Sequence, residues 1–264
     1  MLDRPERLDR LDQRVLGGFR VVDQLTGRTI RHGLKVKAPG LSLIRTPTGI
    51  WAVTGAEGMA AYARAFDPVP AQVAREFTLT ITDTQRRYDP IEVPITLPRN
   101  AAPDAAPADR VDTPVEIAMP SSPGRGTEAG WSTVTVEVMT PGDLPVIGAL
   151  VQVLDAGTAN ERGWALTGLR GQAVVPLTGI AHMQDVTVPD DGDIRDDDDD
   201  PDIATITAIT ALDIAVTAEA SQPWPARPVV LRSGDAALRT AASAAPITLQ
   251  AGGVAHARIT LTLT

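Results

Sequence analysis

The sequence predicts an all-β protein: two antiparallel β-sandwich modules joined by a Pro/Ala-rich linker. Three observations carry this expectation. Apolar residues recur with period 2 in many short runs, as half-buried strands require. Gly, Pro, Asn and Asp clusters punctuate the runs at roughly eight- to twelve-residue spacing, the rhythm of a sandwich. Hydrophobic residues make up 43% of the 264 residues while aromatics supply only 3%, so the core must be built from Val, Ile, Leu and Ala.

The first module is expected over residues 15–99. Phe19–Asp23 reads as a short strand, and Gln24–Arg28 as a turn in which Gly27 is free to take positive φ. Leu34, Val36 and Ala38 alternate with Lys35 and Lys37, and Leu41 and Leu43 continue the alternation before the run Ile50–Val53. Between Gly55 and Val73 the pattern breaks, which leaves room for a helical turn. Phe77, Leu79 and Ile81 alternate with Thr78, Thr80 and Thr82, the clearest strand of this half. After a turn at Asp83–Pro90, Ile91, Val93 and Ile95 close the module. Pro94 within that run marks an edge strand or a bulge, because proline has no N–H for a ladder.

Residues 100–130 are rich in Pro, Ala, Ser and Gly and read as a linker stiffened by prolines. Val115–Met119 within it has the pattern of one added strand lying against a partner. The second module is expected over residues 131–264, with an acidic insert at 181–202. Its strands are centred on Val134/Val136/Val138, Ile147 to Val153, Trp164–Thr167, Ala173/Val175/Leu177, Leu212/Ile214/Val216/Ala218 and Ala257/Ile259/Leu261/Leu263. Pro223 to Pro246 has no clear period and reads as irregular.

The net charge of −9 is local. Ten Asp and the single Arg195 lie between Ala181 and Asp202, while the remainder holds equal numbers of acids and bases. No basic stripe exists to displace phosphate counterions, so nucleic acid is not an expected partner. A near-neutral body offers little resistance to association and suits a member of a larger assembly. The opening segment, residues 1–14, is charged throughout. It lacks the apolar region of a secretory signal, and no run is long enough to enter a membrane as a helix. The expectation is cytoplasmic synthesis and assembly into a particle, which is extracellular after release. Leu8 and Leu11 recur at helical spacing with Val15, so this arm reads either as a solvated tail or as a docking helix for a neighbour.

Three stretches of the second module carry a family resemblance: Val134–Val138, Leu144–Val151 and Ala165–Ala173. Together they follow the order strand, turn, P-V-x-G-A-x-V, then A-x-T-x-x-x-G-x-A. This module resembles the carboxypeptidase regulatory-like, or transthyretin-like, β-sandwich. The resemblance implies an Ig-like fold in which Pro145 enters a strand, Gly148 permits close packing and Gly171 makes a turn. One detail departs, since Gly168 stands near the family's usual Asp. The first module looks like a degenerate relative. Its Val21–Arg28, Gly49–Val53, Phe77–Asp83, Arg87–Pro90 and Leu97–Arg99 are similar to accessory proteins of contractile, phage-tail-like injection systems. That similarity implies a cap, baseplate or spike accessory.

No catalytic constellation is legible. Cysteine is absent, which excludes thiol catalysis and thiolate metal sites. There is no G-x-S-x-G elbow and no P-loop. A glycosidase carboxylate pair is set in space rather than by spacing, and nothing points to one. The histidines, His32, His182 and His256, do not fall at metal-ligand spacing. The chain is therefore expected not to be an enzyme and to need no cofactor. Asp191, Asp193, Asp196, Asp198 and Asp200 are candidates for Ca²⁺, a hard cation that takes carboxylate oxygens. They read otherwise as a solvated acidic loop or as a contact for a basic partner. Trp51, Trp131, Trp164 and Trp224 are expected mainly in and around the cores, with Trp224, between two prolines, available for a partner contact. The leading functional expectation is a structural subunit that binds other protein subunits and is oligomeric in the particle. The alternative is a glycan- or Ca²⁺-binding, adhesin-like module.

Overall fold

The computed structural model describes residues 14–64, 73–102, 104–126, 128, 130–180, 184–185, 205–206 and 209–263. It is all-β, and the chain divides into two compact units. The first is Met1–Thr84 with Glu92–Met119; the second is Gln85–Ile91 with Pro120–Thr264.

The first unit contains β1 (Gly17–Asp23), β2 (Leu34–Lys37), β3 (Leu41–Arg45), β4 (Ile50–Ala56), the short helix α1 (Ala60–Arg64), β5 (Arg75–Asp83), β6 (Ile91–Leu97) and β7 (Val115–Met119). The helical turn expected after Gly55 is α1. One sheet runs β3-β4-β1-β7 and the other β2-β5-β6. Phe19, Val21, Val53, Ile117 and Met119 are buried from the first sheet, and Leu79, Ile81, Val93, Ile95 and Leu97 from the second. The sheets meet closely at Gly17, where a Cβ would stand 2.9 Å from Leu97. Pro94 lies on β6, at a sheet edge, the place in a sheet where proline is tolerated.

The stretch expected to be a linker differs from that expectation. It holds a 3-10 turn at Pro107–Asp109, and its Val115–Met119 is β7, paired with β1 from Phe19↔Val115 to Asp23↔Met119. The partner of this added strand is the chain's own first unit. The cause is apolar burial, since Ile117 and Met119 are both buried on that sheet. The pairing is parallel, which the expectation of purely antiparallel modules did not include.

The second unit contains β8 (Ser132–Met139), β9 (Leu150–Asp155), β10 (Glu161–Leu166), β11 (Gln172–Leu177), β12 (Gln184–Asp185), β13 (Thr205–Ile206), β14 (Thr210–Ala218), α2 (Pro228–Leu231), β15 (Arg239–Ala242), β16 (Ile247–Leu249) and β17 (Val254–Thr260). One sheet runs β10-β9-β14 with β15 and β16 both alongside β14; the other runs β11-β8-β17. β17 returns to lie parallel to β8, from Val254↔Thr133 to Thr260↔Met139. The alternating residues of the sequence form one buried cluster: Val134, Val136 and Val138 of β8, Val151 and Val153 of β9, Val175 of β11, and Ile214 and Val216 of β14. Burying each such side chain is worth about 1.5–3 kcal/mol. The irregular stretch from Pro223 to Pro246 contains α2 and β15, so it is more ordered than its lack of period suggests. Of the acidic insert, only β12 is described; it pairs antiparallel with β13.

One buried side chain ties the strand entries together. Thr167 is fully buried, its Oγ1 accepts the Ala149 N–H at 2.8 Å, and it donates to the Val146 carbonyl at 2.6 Å. Thr167→Val keeps the shape and orphans both backbone groups, so it will lower unfolding free energy by about 2 kcal/mol. A urea midpoint unchanged from the parent protein would refute this.

Candidate binding site

The sheet β10-β9-β14-β15 has two faces, and period 2 assigns them. Val151, Val153 and Ala165 point into the sandwich core, so Leu150, Trp164 and Leu166 point outward. Those outward residues are nevertheless buried. The cover is the excursion between β14 and β15. The Ile147 N–H donates to Gln222 Oε1 at 2.8 Å. At Gly148 the backbone lies against this layer, where a Cβ would stand 2.8 Å from the Pro223 carbonyl. That is the close packing expected of Gly148, supported by its positive φ of 69°. Ala226 and Leu231 are buried in the same layer, and Arg227 is ion-paired with Glu219.

The excursion is anchored at its far end by an arginine. Arg232 grips Glu161 with two hydrogen bonds, of 2.8 and 3.1 Å, and its guanidinium lies 4.9 Å from the centre of the Trp164 ring. Gln152 donates a further hydrogen bond to Glu161 at 2.6 Å. Burial alone would raise the Glu161 carboxyl; the hydrogen bonds from Arg232 and Gln152 and the Arg232 charge outweigh it and hold the pKa below its usual value. Beyond this anchor the cover no longer meets the sheet. A cavity of about 320 Å³ opens there, between Gln152, Thr217 and Thr240 on the sheet and Leu231, Asp235 and Leu238 on the excursion. It is partly open to solvent and sets an apolar wall against polar groups.

A second cluster lies where Gln85–Ile91 joins this unit. Tyr88 bridges to Ser121, the Asp89 N–H donates to the Pro120 carbonyl at 3.1 Å, and the Ser122 N–H donates to the Arg87 carbonyl at 2.9 Å. Arg125 sits 4.9 Å from the Tyr88 ring and 5.7 Å from the Trp131 ring, and donates to Ser121 Oγ at 3.0 Å. Asp89 is only 6% exposed, and its Oδ2 has no hydrogen-bond partner among the described residues. Burial pushes its carboxyl up to about 7.

The residues singled out from the sequence fall elsewhere. Leu8, Leu11, His182 and Asp191, Asp193, Asp196, Asp198 and Asp200 lie outside the described residues. Trp224 is half-buried in the covering layer. Trp51 stacks on Phe19 beneath Arg45, Trp131 lies beside Arg125, and Trp164 is buried against Arg232. His256 is exposed on β17, and His32 lines an open basic hollow with Arg31 and Arg45 in the first unit. Among the described residues no group of three or more His, Asp or Glu is placed to hold a metal. The Arg232–Glu161–Gln152 anchor and the buried Asp89 had no sequence signal beyond the Arg87–Pro90 stretch, whose burial is set by residues distant in sequence.

No protein-family model matches this sequence, and no curated protein matches it. Among the described residues no helix is long and apolar enough to cross a membrane.

Proposed function

We propose that the chain is a non-enzymatic assembly subunit, a cap, baseplate or spike accessory of a contractile, phage-tail-like injection particle. The observation that carries the assembly role is a pair of exposed leucines on adjoining turns. Leu144 is 66% exposed and Leu169 is 65% exposed. Their turns abut, since a Cβ on Gly171 would stand 3.0 Å from Pro145, and the Val138 N–H donates to the Gly171 carbonyl at 2.8 Å. Large apolar side chains exposed on neighbouring turns of a sandwich favour burial against another protein. The charge-balanced body supports the same reading. Placement in a contractile particle rests on the resemblance of Val21–Arg28, Phe77–Asp83 and Arg87–Pro90 to accessory proteins of such systems.

The test is co-expression of the chain with the genes that flank its own, followed by gradient sedimentation. The chain is expected to travel with a large particle, and the doubly substituted Leu144→Asp, Leu169→Asp protein to remain in the light fractions with an unchanged melting temperature. A monodisperse monomer that captures no flanking gene product would overturn the proposal.

A further inference from the structure

From the shape and chemistry of the cavity under the Arg232 anchor, we infer that it binds one neutral hexose unit of a glycan. The inference does not rest on the assembly role. The volume of about 320 Å³ is that of roughly ten waters at about 30 Å³ each, enough for a single sugar ring and its hydroxyls.

A hexose ring offers an apolar C–H face and a rim of hydroxyls, and the lining offers both counterparts. Leu231 and Leu238 supply the apolar wall. Thr217 and Thr240 stand directly opposite each other on β14 and β15, and both line the cavity. Neither hydroxyl is engaged in a hydrogen bond among the described residues, so both are available to a ligand as donor and acceptor. Asp235 accepts the Ala237 N–H through Oδ1, which leaves Oδ2 as a charged acceptor for sugar hydroxyls.

Charge selects the class. Arg232 is spent on Glu161, so its charge is neutralised within the wall. The one other charged residue of the lining is Asp235, so no unpaired cation faces the cavity to hold a phosphate, a uronic acid or a sialic acid. The anchor also preorganises the site. Arg232 is held by two hydrogen bonds and by the face of Trp164, so the wall needs little ordering when a ligand enters.

The test uses the full chain with threonine methyls isotopically labelled, titrated with glucose, galactose, mannose and, as a charged control, glucuronate. At millimolar concentrations at least one neutral hexose is expected to move the Thr217 and Thr240 methyl resonances and to give saturation transfer. Thr217→Val, Thr240→Val is expected to weaken that binding at least tenfold with the melting temperature unchanged, because valine suits a strand as well as threonine does. Three results would each overturn the inference: none of the hexoses moves those two methyls, glucuronate binds more tightly than every neutral sugar, or the valine variant binds as the parent does. The methyl shifts are read on the parent protein, so the outcome stands even where the variant folds poorly.

Discussion

Raising the pH from 4 to 8 will destabilise the second unit through Asp89, and Asp89→Asn will remove that loss. The carboxyl titrates near 7 in the folded protein and near 3.9 in an unfolded chain. Between those values the folded state holds a proton that the unfolded state has released. Stability from this group is therefore fully present below pH 4, falls as the pH rises, and is gone above about 7. A difference of about three pH units corresponds to about 4 kcal/mol at most. The asparagine variant is expected to exceed the parent by about 2 kcal/mol at pH 8, because its amide still wants partners in the site left by Oδ2. At pH 5 the two should lie within about 1 kcal/mol of each other. Urea midpoints measured at several pH values read this directly, and parallel curves for the two proteins would refute it. Glu161 does not confuse the result. Its folded pKa is lowered, so its contribution is present above its unfolded pKa and is lost only as the pH falls through the folded value.

Asp89 also shows where the reading of the sequence stops. Asp-Pro after Arg-Tyr reads locally as a solvated turn, yet Asp89 is buried and its N–H is bonded to Pro120, a residue that no local pattern connects to it. Regular strands were legible because their physics is local. Val134, Val136 and Val138, or Leu212, Ile214 and Val216, must face one way once the chain is extended, and all six lie in one core cluster. The alternation in Val115–Met119 marked a strand, but pairing with β1 is set by burial across a long separation in sequence. The covering layer and the strand that follows it were hidden for a different reason. α2 of the cover has four residues, too few to leave a periodic signature, and β15 of the sheet reads Arg-Thr-Ala-Ala without a β-branched apolar pattern. The cavity lies beneath the cover, so its Thr217–Thr240 pair is not visible as a site, although the alternation of Leu212 to Ala218 predicts the strand that carries Thr217.

Gly171→Ala will cost the second unit about 3 kcal/mol or more, while Gly157→Ala will cost about 1 kcal/mol. Both glycines hold positive φ, 71° and 84°. An added Cβ at Gly157 meets nothing within 4 Å among the described residues, so only the backbone preference is lost there. At Gly171 the same carbon would stand 2.6 Å from the Val138 carbonyl oxygen and 3.0 Å from Pro145. Neither obstacle can swing aside. The Val138 carbonyl belongs to β8, at the centre of its sheet, and Pro145 is bridged to Met139. The backbone at Gly171 is also committed, since its carbonyl accepts the Val138 N–H at 2.8 Å and its N–H donates to Gly168 at 2.9 Å. The difference between the two variants in urea thus measures the clash with the strand, separated from the left-handed conformation they share. Equal losses would show that the turn relaxes freely. The same pair of proteins links stability to assembly. Pushing the Gly168–Gly171 turn away from Pro145 shifts the turn that carries Leu169 relative to the one that carries Leu144. Gly171→Ala should therefore lose co-sedimentation with a particle even at temperatures where it stays folded, and Gly157→Ala should keep it.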